Sequence, residues 1–93
     1  MYNYIEVNKM TRISLTDIRI LFELIEGDHN TQTTGMAFKD FMIKQTITNI
    51  TRRLVFLESN GYVRRGFPKG KATTFYITEE GMKFYKEATK PYS

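Results

Sequence analysis

Apolar residues recur at helical spacing in two well-defined stretches of the chain. In the first, Ser14 can cap a helix, Asp17 follows three positions later in the manner of a capping box, and Gly27 ends the run. In the second, the hydroxyl of Thr46 can cap and Gly61 ends the run. The apolar positions are Leu15, Ile18, Leu21, Phe22 and Ile25 in the first stretch and Ile47, Ile50, Leu54 and Leu57 in the second. Both stretches are predicted to be amphipathic helices.

The segment between these helices is less regular. Residues 28–35 are polar and rich in turn formers, which indicates a connector with at most a short strand at residues 31–33. Residues 36–43 are rich in apolar side chains and predict a short helix of about two turns. Lys44 and Gln45 then form a tight joint to the next helix.

The C-terminal part of the chain has the pattern of a hairpin followed by a helix. Residues 62–67 and 72–77 are rich in β-branched and aromatic side chains and flank a turn of proline, glycine and lysine. Thr78 can cap a last helix that runs to about Thr89, with Pro91 beyond its end. We call residues 66–73, at the turn of the hairpin, the wing.

The order of these elements predicts an α+β fold of the winged helix-turn-helix type. It comprises three helices, a two-stranded β-hairpin wing and a C-terminal helix. A chain of 93 residues supports one domain, which we place at residues 14–90. Residues 1–13 contain no periodic segment and are interpreted as an N-terminal arm.

The charges are unevenly distributed. Residues 44–71 contain seven basic residues and one acidic residue, a net charge of +6, whereas the rest of the chain carries −2. This segregation favours an anionic partner that meets one part of the molecule, and the phosphate backbone of a nucleic acid is the leading candidate. The alternative is a basic surface that is merely solvated.

Composition and the remaining residues argue against several other classes. The absence of cysteine excludes disulfides, cysteine-based zinc sites and thiol nucleophiles, and is typical of a reducing cytoplasm. Residues 1–9 lack the features of a signal peptide, and no stretch approaches the ~18 apolar residues of a membrane span. His29 stands alone in a polar loop and no catalytic constellation surrounds it. We therefore expect a soluble, cytoplasmic protein that is not an enzyme and needs no metal or cofactor.

Two short motifs flank the predicted hairpin. Residues 57–64 read LESNGYVR and residues 77–81 read ITEEG. They resemble the end of the recognition helix and the strand after the wing in winged-helix regulators of the MarR and PadR type, and in small regulators of phages, plasmids and archaeal viruses. The resemblance covers residues 14–87 and implies a DNA-binding regulator. MarR proteins are longer and have extra terminal helices, so ligand sensing in a MarR-type pocket is not carried over.

The helix that begins at Thr46 is the candidate for reading bases. At about 100° per residue, the side opposite its apolar face carries Gln45, Thr48, Asn49, Arg52 and Phe56. Arg52 can pair with guanine, Asn49 or Gln45 with adenine, and Thr48 with a thymine methyl group or a phosphate. The alternative is an ordinary solvated helix face. Phe56 suits neither role and is expected to pack on a neighbouring element.

Other basic residues have two interpretations each. Arg53 lies off the reading face, so it contacts a phosphate or pairs with an acid of its own chain such as Glu58. Arg64 and Arg65 alternate along a strand, so only one of them is expected to point to DNA. Lys69 and Lys71 at the wing suit phosphates or a minor groove, or simply solubilise a turn. The complete predicted DNA-binding set is Lys44, Gln45, Thr46, Thr48, Asn49, Arg52, Arg53, Arg64, Arg65, Lys69 and Lys71.

These features predict a protein that binds double-stranded DNA sequence-specifically and acts as a homodimeric transcriptional repressor. Helix 46–60 is expected to enter the major groove, and the wing is expected to lie on the flanking backbone or in the minor groove. Tyr2, Tyr4, Phe84 and Tyr85 exceed what a small core needs at its termini, so the arm and the C-terminal helix are predicted to form the dimer interface. The alternatives are a winged-helix protein-interaction module and a DNA-binding replication or partition factor.

Overall fold

The architecture is that of a computed structural model that describes residues 4–6, 12–41 and 47–90. The described elements, in chain order, are strands β1 (Tyr4–Glu6) and β2 (Arg12–Ser14), helix α1 (Leu15–Glu26), strand β3 (Met36–Ala37), a 3-10 turn (Phe38–Asp40), helix α2 (Ile47–Ser59), strands β4 (Val63–Arg65) and β5 (Thr74–Ile77), and helix α3 (Glu79–Thr89). Within these residues no helix is long and apolar enough to cross a membrane.

The helices pack against a three-stranded antiparallel sheet of order β3-β5-β4. Strands β4 and β5 form the predicted hairpin, with Val63 paired to Ile77, and β3 adds a third strand by pairing Met36 with Phe75. The core lies between this sheet and the helices. Its largest fully buried apolar side chains are Ile20, Leu21, Leu24, Leu54, Leu57, Val63 and Ile77.

The predicted start of α1 is confirmed. The Ser14 hydroxyl accepts a hydrogen bond from the Asp17 amide at 3.1 Å, and the Asp17 carboxylate accepts one from the Ser14 amide at 3.0 Å, which completes a capping box. Gly27 follows the helix as its C-cap and donates its backbone N–H to the carbonyl of Glu23.

The end of α2 and the start of α3 are held together by one threonine. Gly61 ends α2 with a φ of +79°, which glycine adopts without steric cost. The Thr78 hydroxyl accepts from the Gly81 amide at 3.0 Å, as the predicted cap, and donates to the Gly61 carbonyl at 2.6 Å. Gly81 lies so close to the Tyr62 carbonyl that a Cβ atom there would overlap it.

The predicted helix at residues 36–43 is wrong over its described part. Met36 and Ala37 are buried as strand β3 on the edge of β5, and only a 3-10 turn follows at residues 38–40. Pairing with the open sheet edge satisfies backbone groups that a helix would otherwise satisfy internally. The proposed joint at Lys44 and Gln45 and the proposed cap at Thr46 lie outside the described residues.

The connector differs from the expectation in detail. Residues 31–33 form a turn instead of a strand, and the Thr34 hydroxyl accepts from the amides of Asn30 and Thr31 at 3.2 and 3.0 Å. His29 Nδ1 lies 2.6 Å from the Thr34 carbonyl oxygen, a contact within the same connector.

At the termini, the structure adds detail to the arm and corrects the assignment of Phe84. The arm contains an antiparallel hairpin, in which Tyr4 pairs with Ser14 and Glu6 with Arg12, and β2 leads directly into α1. Phe84 belongs to the core of its own chain and not to an interface, because it is only 8% exposed and its ring stacks on Tyr62 with centroids 4.1 Å apart. Tyr2 lies outside the described residues.

Candidate nucleic-acid interface

Helix α2 presents one side to solvent because its other side is part of the core. Ile50, Leu54 and Leu57 are buried, as their spacing predicts. The exposed residues opposite them form what we call the outer face: Thr51, Arg52, Val55 and Ser59. The outer face is thus rotated from the predicted one, since Asn49 and Phe56 lie at its edge and are half-buried.

Phe56 packs against the core, as expected for an aromatic residue that suits neither base nor phosphate. Of the predicted base-reading residues, Arg52 is the one whose described side chain stands on the outer face. Thr48 lies in α2, but its side chain is outside the described part, as are Lys44, Gln45 and Thr46 altogether. Asn49 is part of α2 at the margin of the outer face.

Arg53 is bound to α1, whereas Arg52 is exposed on the outer face. Its Nε and Nη2 atoms donate to Oδ1 and Oδ2 of Asp17, both at 2.7 Å. The guanidinium carbon also lies 4.3 Å from the centre of the Phe56 ring. The structure therefore contains an intramolecular ion pair of the kind predicted as one alternative for Arg53, but with Asp17 as the acid instead of Glu58.

Glu58 pairs with Arg65 of the neighbouring strand. The Arg65 Nε and Nη2 atoms donate to the Glu58 carboxylate at 2.9 and 3.3 Å, and the guanidinium lies 5.5 Å from the Phe75 ring centre. Both side chains remain solvent-accessible. Of the three residues of β4, Val63 is buried and both arginines are exposed. Arg65 is paired with Glu58, whereas Arg64 has no ion pair among the described residues.

The wing is a tight, exposed turn. Lys69 and Ala72 exchange backbone hydrogen bonds of 3.0 Å, and Lys69 and Lys71 are both exposed at its tip. The base of the wing is fixed to the connector, because the Phe67 amide donates to the Gln32 carbonyl at 2.8 Å. The lysines are therefore carried on a turn whose base is held by backbone contacts.

Helix α2 and the wing border the same surface cleft. This cleft has a volume of about 400 Å³ and is lined by Phe38, Lys39, Thr51, Arg65, Ala72, Thr73 and Phe75. Thr51 belongs to the outer face, whereas Ala72 and Thr73 belong to the wing. The outer face and the wing therefore adjoin one another at this cleft.

Lys39 is a basic residue of this surface that the sequence analysis did not include. It is exposed on the 3-10 turn and lines the cleft together with Arg65. No signal in the sequence indicated that Lys39 would lie there. Its position depends on the pairing of β3 with β5, which places the following 3-10 turn beside the wing. The lining of the cleft thus combines the aromatic side chains of Phe38 and Phe75 with the cationic residues Lys39 and Arg65.

Comparisons with known proteins relate the chain to one architecture. No protein-family model and no curated protein sequence matches it. Among solved structures it is similar to TubR from Bacillus megaterium pBM400, with 20% sequence identity and a TM-score of 0.74, over 82% of this chain and 86% of that chain. The chain therefore has a small α+β fold of the winged-helix-like kind that it shares with TubR.

Proposed function

We propose that the chain binds double-stranded DNA sequence-specifically and acts as a homodimeric transcriptional repressor. α2 is the recognition helix and enters the major groove, and the wing lies on the flanking backbone or in the minor groove. The observation that carries the proposal is that the outer face of α2 and the wing border one cleft, whose lining includes the cationic residues Lys39 and Arg65. The protein is not an enzyme in this proposal.

The recognition helix has the exposure that major-groove binding requires. The major groove is about 12 Å wide and admits an α-helix only if one face of that helix is exposed. Arg52 stands on the outer face and makes no ion pair among the described residues, so its planar guanidinium is available for O6 and N7 of a guanine. Thr51 adds a hydroxyl group on the same face, whereas the Ser59 hydroxyl donates to the Val55 carbonyl at 2.8 Å.

The wing supplies charge without sequence information. Lys69 and Lys71 are exposed at its tip, and lysine binds phosphate as a point charge. Lys39 and Arg65, which line the cleft beside the wing, extend the basic surface. Phosphate contacts of this kind fix orientation on the duplex, whereas the outer face discriminates between sequences. The shared fold with TubR supports the architecture on which this assignment depends.

The dimer part of the proposal concerns α1 and α3. Tyr85 lines a shallow apolar cleft of about 350 Å³ together with Ile18, Arg19 and Phe22, and Phe22 is 40% exposed. A second copy that covers this cleft would remove apolar surface that a small monomer leaves exposed. A twofold dimer then predicts an inverted-repeat site with half-sites about one or two helical turns apart.

Selection of bound sequences from random duplex DNA, with the oligomeric state measured by light scattering, tests this proposal. We expect recovery of an inverted repeat and a dimer. With some 6 to 10 phosphate contacts, affinity should fall about 10³- to 10⁵-fold between about 50 and 200 mM salt. Binding that is insensitive to salt would refute the assignment.

A matched pair of variants assigns the binding surface. Lys69→Glu with Lys71→Glu reverses two charges at the wing, and Lys83→Glu with Lys86→Glu makes the same change in net charge on exposed residues of α3. We expect the wing variant to lose affinity for all duplexes and to reduce the slope of log affinity against log salt concentration by about 2. The α3 variant, compared at a concentration where light scattering shows the same oligomeric state as wild type, should change neither strongly. Equal effects of the two variants would mean that only net charge matters. Unchanged DNA binding in the wing variant would favour a protein-interaction module instead.

The shared fold with TubR favours a second role for the same surface, that of a DNA-binding partition factor. Both roles require the same contacts with DNA, so the binding experiments above do not separate them. A promoter reporter that carries the selected site measures repression, and retention of a test plasmid that carries the same site measures partition. The repressor proposal predicts that Arg52→Gln relieves repression of the promoter reporter and leaves retention of the test plasmid unchanged.

A further inference from the structure

We propose that Asp17 is a positioning residue for the recognition helix, and that its carboxylate determines sequence discrimination without touching DNA. This inference rests on the proposed function. Asp17 is 0% exposed, at the first turn of α1, and the sequence assigns it only the role of a capping residue. In the structure the same carboxylate also binds the recognition helix.

The contacts of Asp17 use both of its oxygens. Oδ1 accepts from Arg53 Nε at 2.7 Å, and Oδ2 accepts from Arg53 Nη2 at 2.7 Å and from the Ser14 amide at 3.0 Å. A bidentate pair of this type fixes the plane of the guanidinium as well as its distance. The Phe56 ring, one turn further along α2, lies 4.3 Å from the guanidinium carbon and packs on it. The Arg53 side chain is thus held from two directions.

Holding Arg53 adds a directional restraint to the rotation of the recognition helix about its axis, which the buried residues Ile50 and Leu54 set only through non-directional packing. Arg52 and Arg53 are adjacent and therefore lie about 100° apart around α2. While Arg53 is bound to α1, Arg52 must project from the outer face toward the proposed major groove. A bidentate contact with a guanine tolerates little rotation, so loosening Arg53 should disturb base reading before it disturbs attraction to phosphates.

Asp17 also links the recognition helix to the N-terminal hairpin. Ser14 is both the last residue of β2 and the N-cap of α1, and its amide is bound to the same carboxylate as Arg53. The N-terminal hairpin, α1 and the recognition helix therefore meet at one buried group. Glu58, which pairs with Arg65 on the surface, also belongs to the recognition helix but joins it to β4 through an exposed contact.

The test compares wild type, Asp17→Asn, Arg53→Gln and the double variant, with Glu58→Gln as the control for loss of an ion pair on the same helix. Each protein is titrated with the selected duplex and with a scrambled duplex at several salt concentrations, at a temperature where circular dichroism shows it folded. The double variant removes both charges, so no ionised group is left buried alone if a single variant fails to fold.

We expect the ratio of specific to non-specific affinity to fall about 10-fold or more in both single variants, which is the discrimination that one bidentate base contact provides. The double variant should lose no more than either single variant, because both residues act through one contact. The salt slope should stay at the wild-type value in all three. Glu58→Gln frees Arg65 for phosphate, which would strengthen both duplexes alike, so it should retain the wild-type ratio.

A second measurement needs no DNA. Residual dipolar couplings report the orientation of α2 relative to α1 in the unbound protein, and we expect a change in the Asp17 and Arg53 variants but not in Glu58→Gln. The slope of log affinity against log salt concentration reports the number of phosphate contacts. If its magnitude fell by about 0.9 in Arg53→Gln alone, Arg53 would be a phosphate contact and the inference would be overturned. Unchanged discrimination in the variants would overturn it as well. Failure of the wild type to bind any duplex would instead overturn the proposed function, and this inference with it.

Discussion

Removing the charge of Asp17 should cost the protein much more stability than removing a charge at its surface. In Asp17→Asn the amide oxygen can still accept at one of the two carboxylate positions, but at the other the amide NH2 group faces a donor of Arg53. The carboxylate position is wholly buried, so no water replaces the lost acceptor. Breaking a buried ion pair from one side costs about 3 to 5 kcal/mol, and the 16% exposure of the Arg53 side chain places the expected value near 3 kcal/mol.

A loss of this size is measurable and leaves the protein folded. A domain of 93 residues has a free energy of unfolding of about 5 to 14 kcal/mol. At about 4 to 8 °C per kcal/mol, Asp17→Asn should lower the Tm by about 12 to 24 °C. Urea unfolding followed by circular dichroism gives the free energy, and scanning calorimetry gives the Tm.

The control for this prediction is Glu58→Gln. It breaks the Arg65 pair, whose side chains are 55% and 33% exposed, and exposed pairs contribute about 1 kcal/mol or less. If Asp17→Asn costs no more than Glu58→Gln, the buried pair contributes no more than a screened surface pair, and the reasoning is refuted.

Three further predictions concern the junction between α2, the hairpin and α3. Gly81→Ala should lower the free energy of unfolding, measured in urea, by about 2 kcal/mol. The added Cβ would overlap the Tyr62 carbonyl and lie 2.7 Å from Ile77 Cγ1, a cost of about 3 kcal/mol, which exceeds the helix-propensity gain of about 1 kcal/mol. A stabilised variant would contradict this. Thr78→Ala should cost about 1 kcal/mol as a lost N-cap, and an unchanged Tm would argue against the cap. Burial, with a smaller contribution from Glu80, raises the pKa of Tyr62 above its usual 10, so the free energy of unfolding should be at its full value below pH 10 and fall as the pH rises through 10 toward the higher folded pKa. Tyr62→Phe should flatten this part of the profile, and an identical decline in the variant would assign it to other groups.

The parts of the fold that sequence analysis predicted correctly depend on neighbours in the chain. The capping box of Ser14 and Asp17 and the cap of Thr78 join residues three positions apart, and Gly61 needs only its own backbone freedom. The β4–β5 hairpin is also local, because one tight turn joins strands of the expected composition. For each of these elements the residues that determine the conformation lie within the segment itself.

The parts that failed depend on distant partners. Residues 36–37 have the apolar composition of a helix start, but they become a strand because β5 offers an unpaired edge. The same pairing places Lys39 beside the wing, so an error in one element removed a residue from the predicted interface. Phe84 was assigned to an interface because the count of terminal aromatic residues says nothing about Tyr62, on which it stacks.

Arg52 and Arg53 show how a distant partner separates two residues that look equivalent in sequence. They are adjacent, identical and on the same helix, and what distinguishes them is Asp17, 36 residues before Arg53. The capping box accounts for one hydrogen bond to the Asp17 carboxylate, from the Ser14 amide. A carboxylate has about four acceptor sites, and a buried one needs further donors because water does not reach it. A bidentate arginine is the partner that satisfies this need most completely. In this chain the capping Asp17 at the buried start of α1 therefore goes with an inward-facing arginine, Arg53, on α2. The adjacent Arg52, about 100° around the helix, is the arginine left to face a ligand.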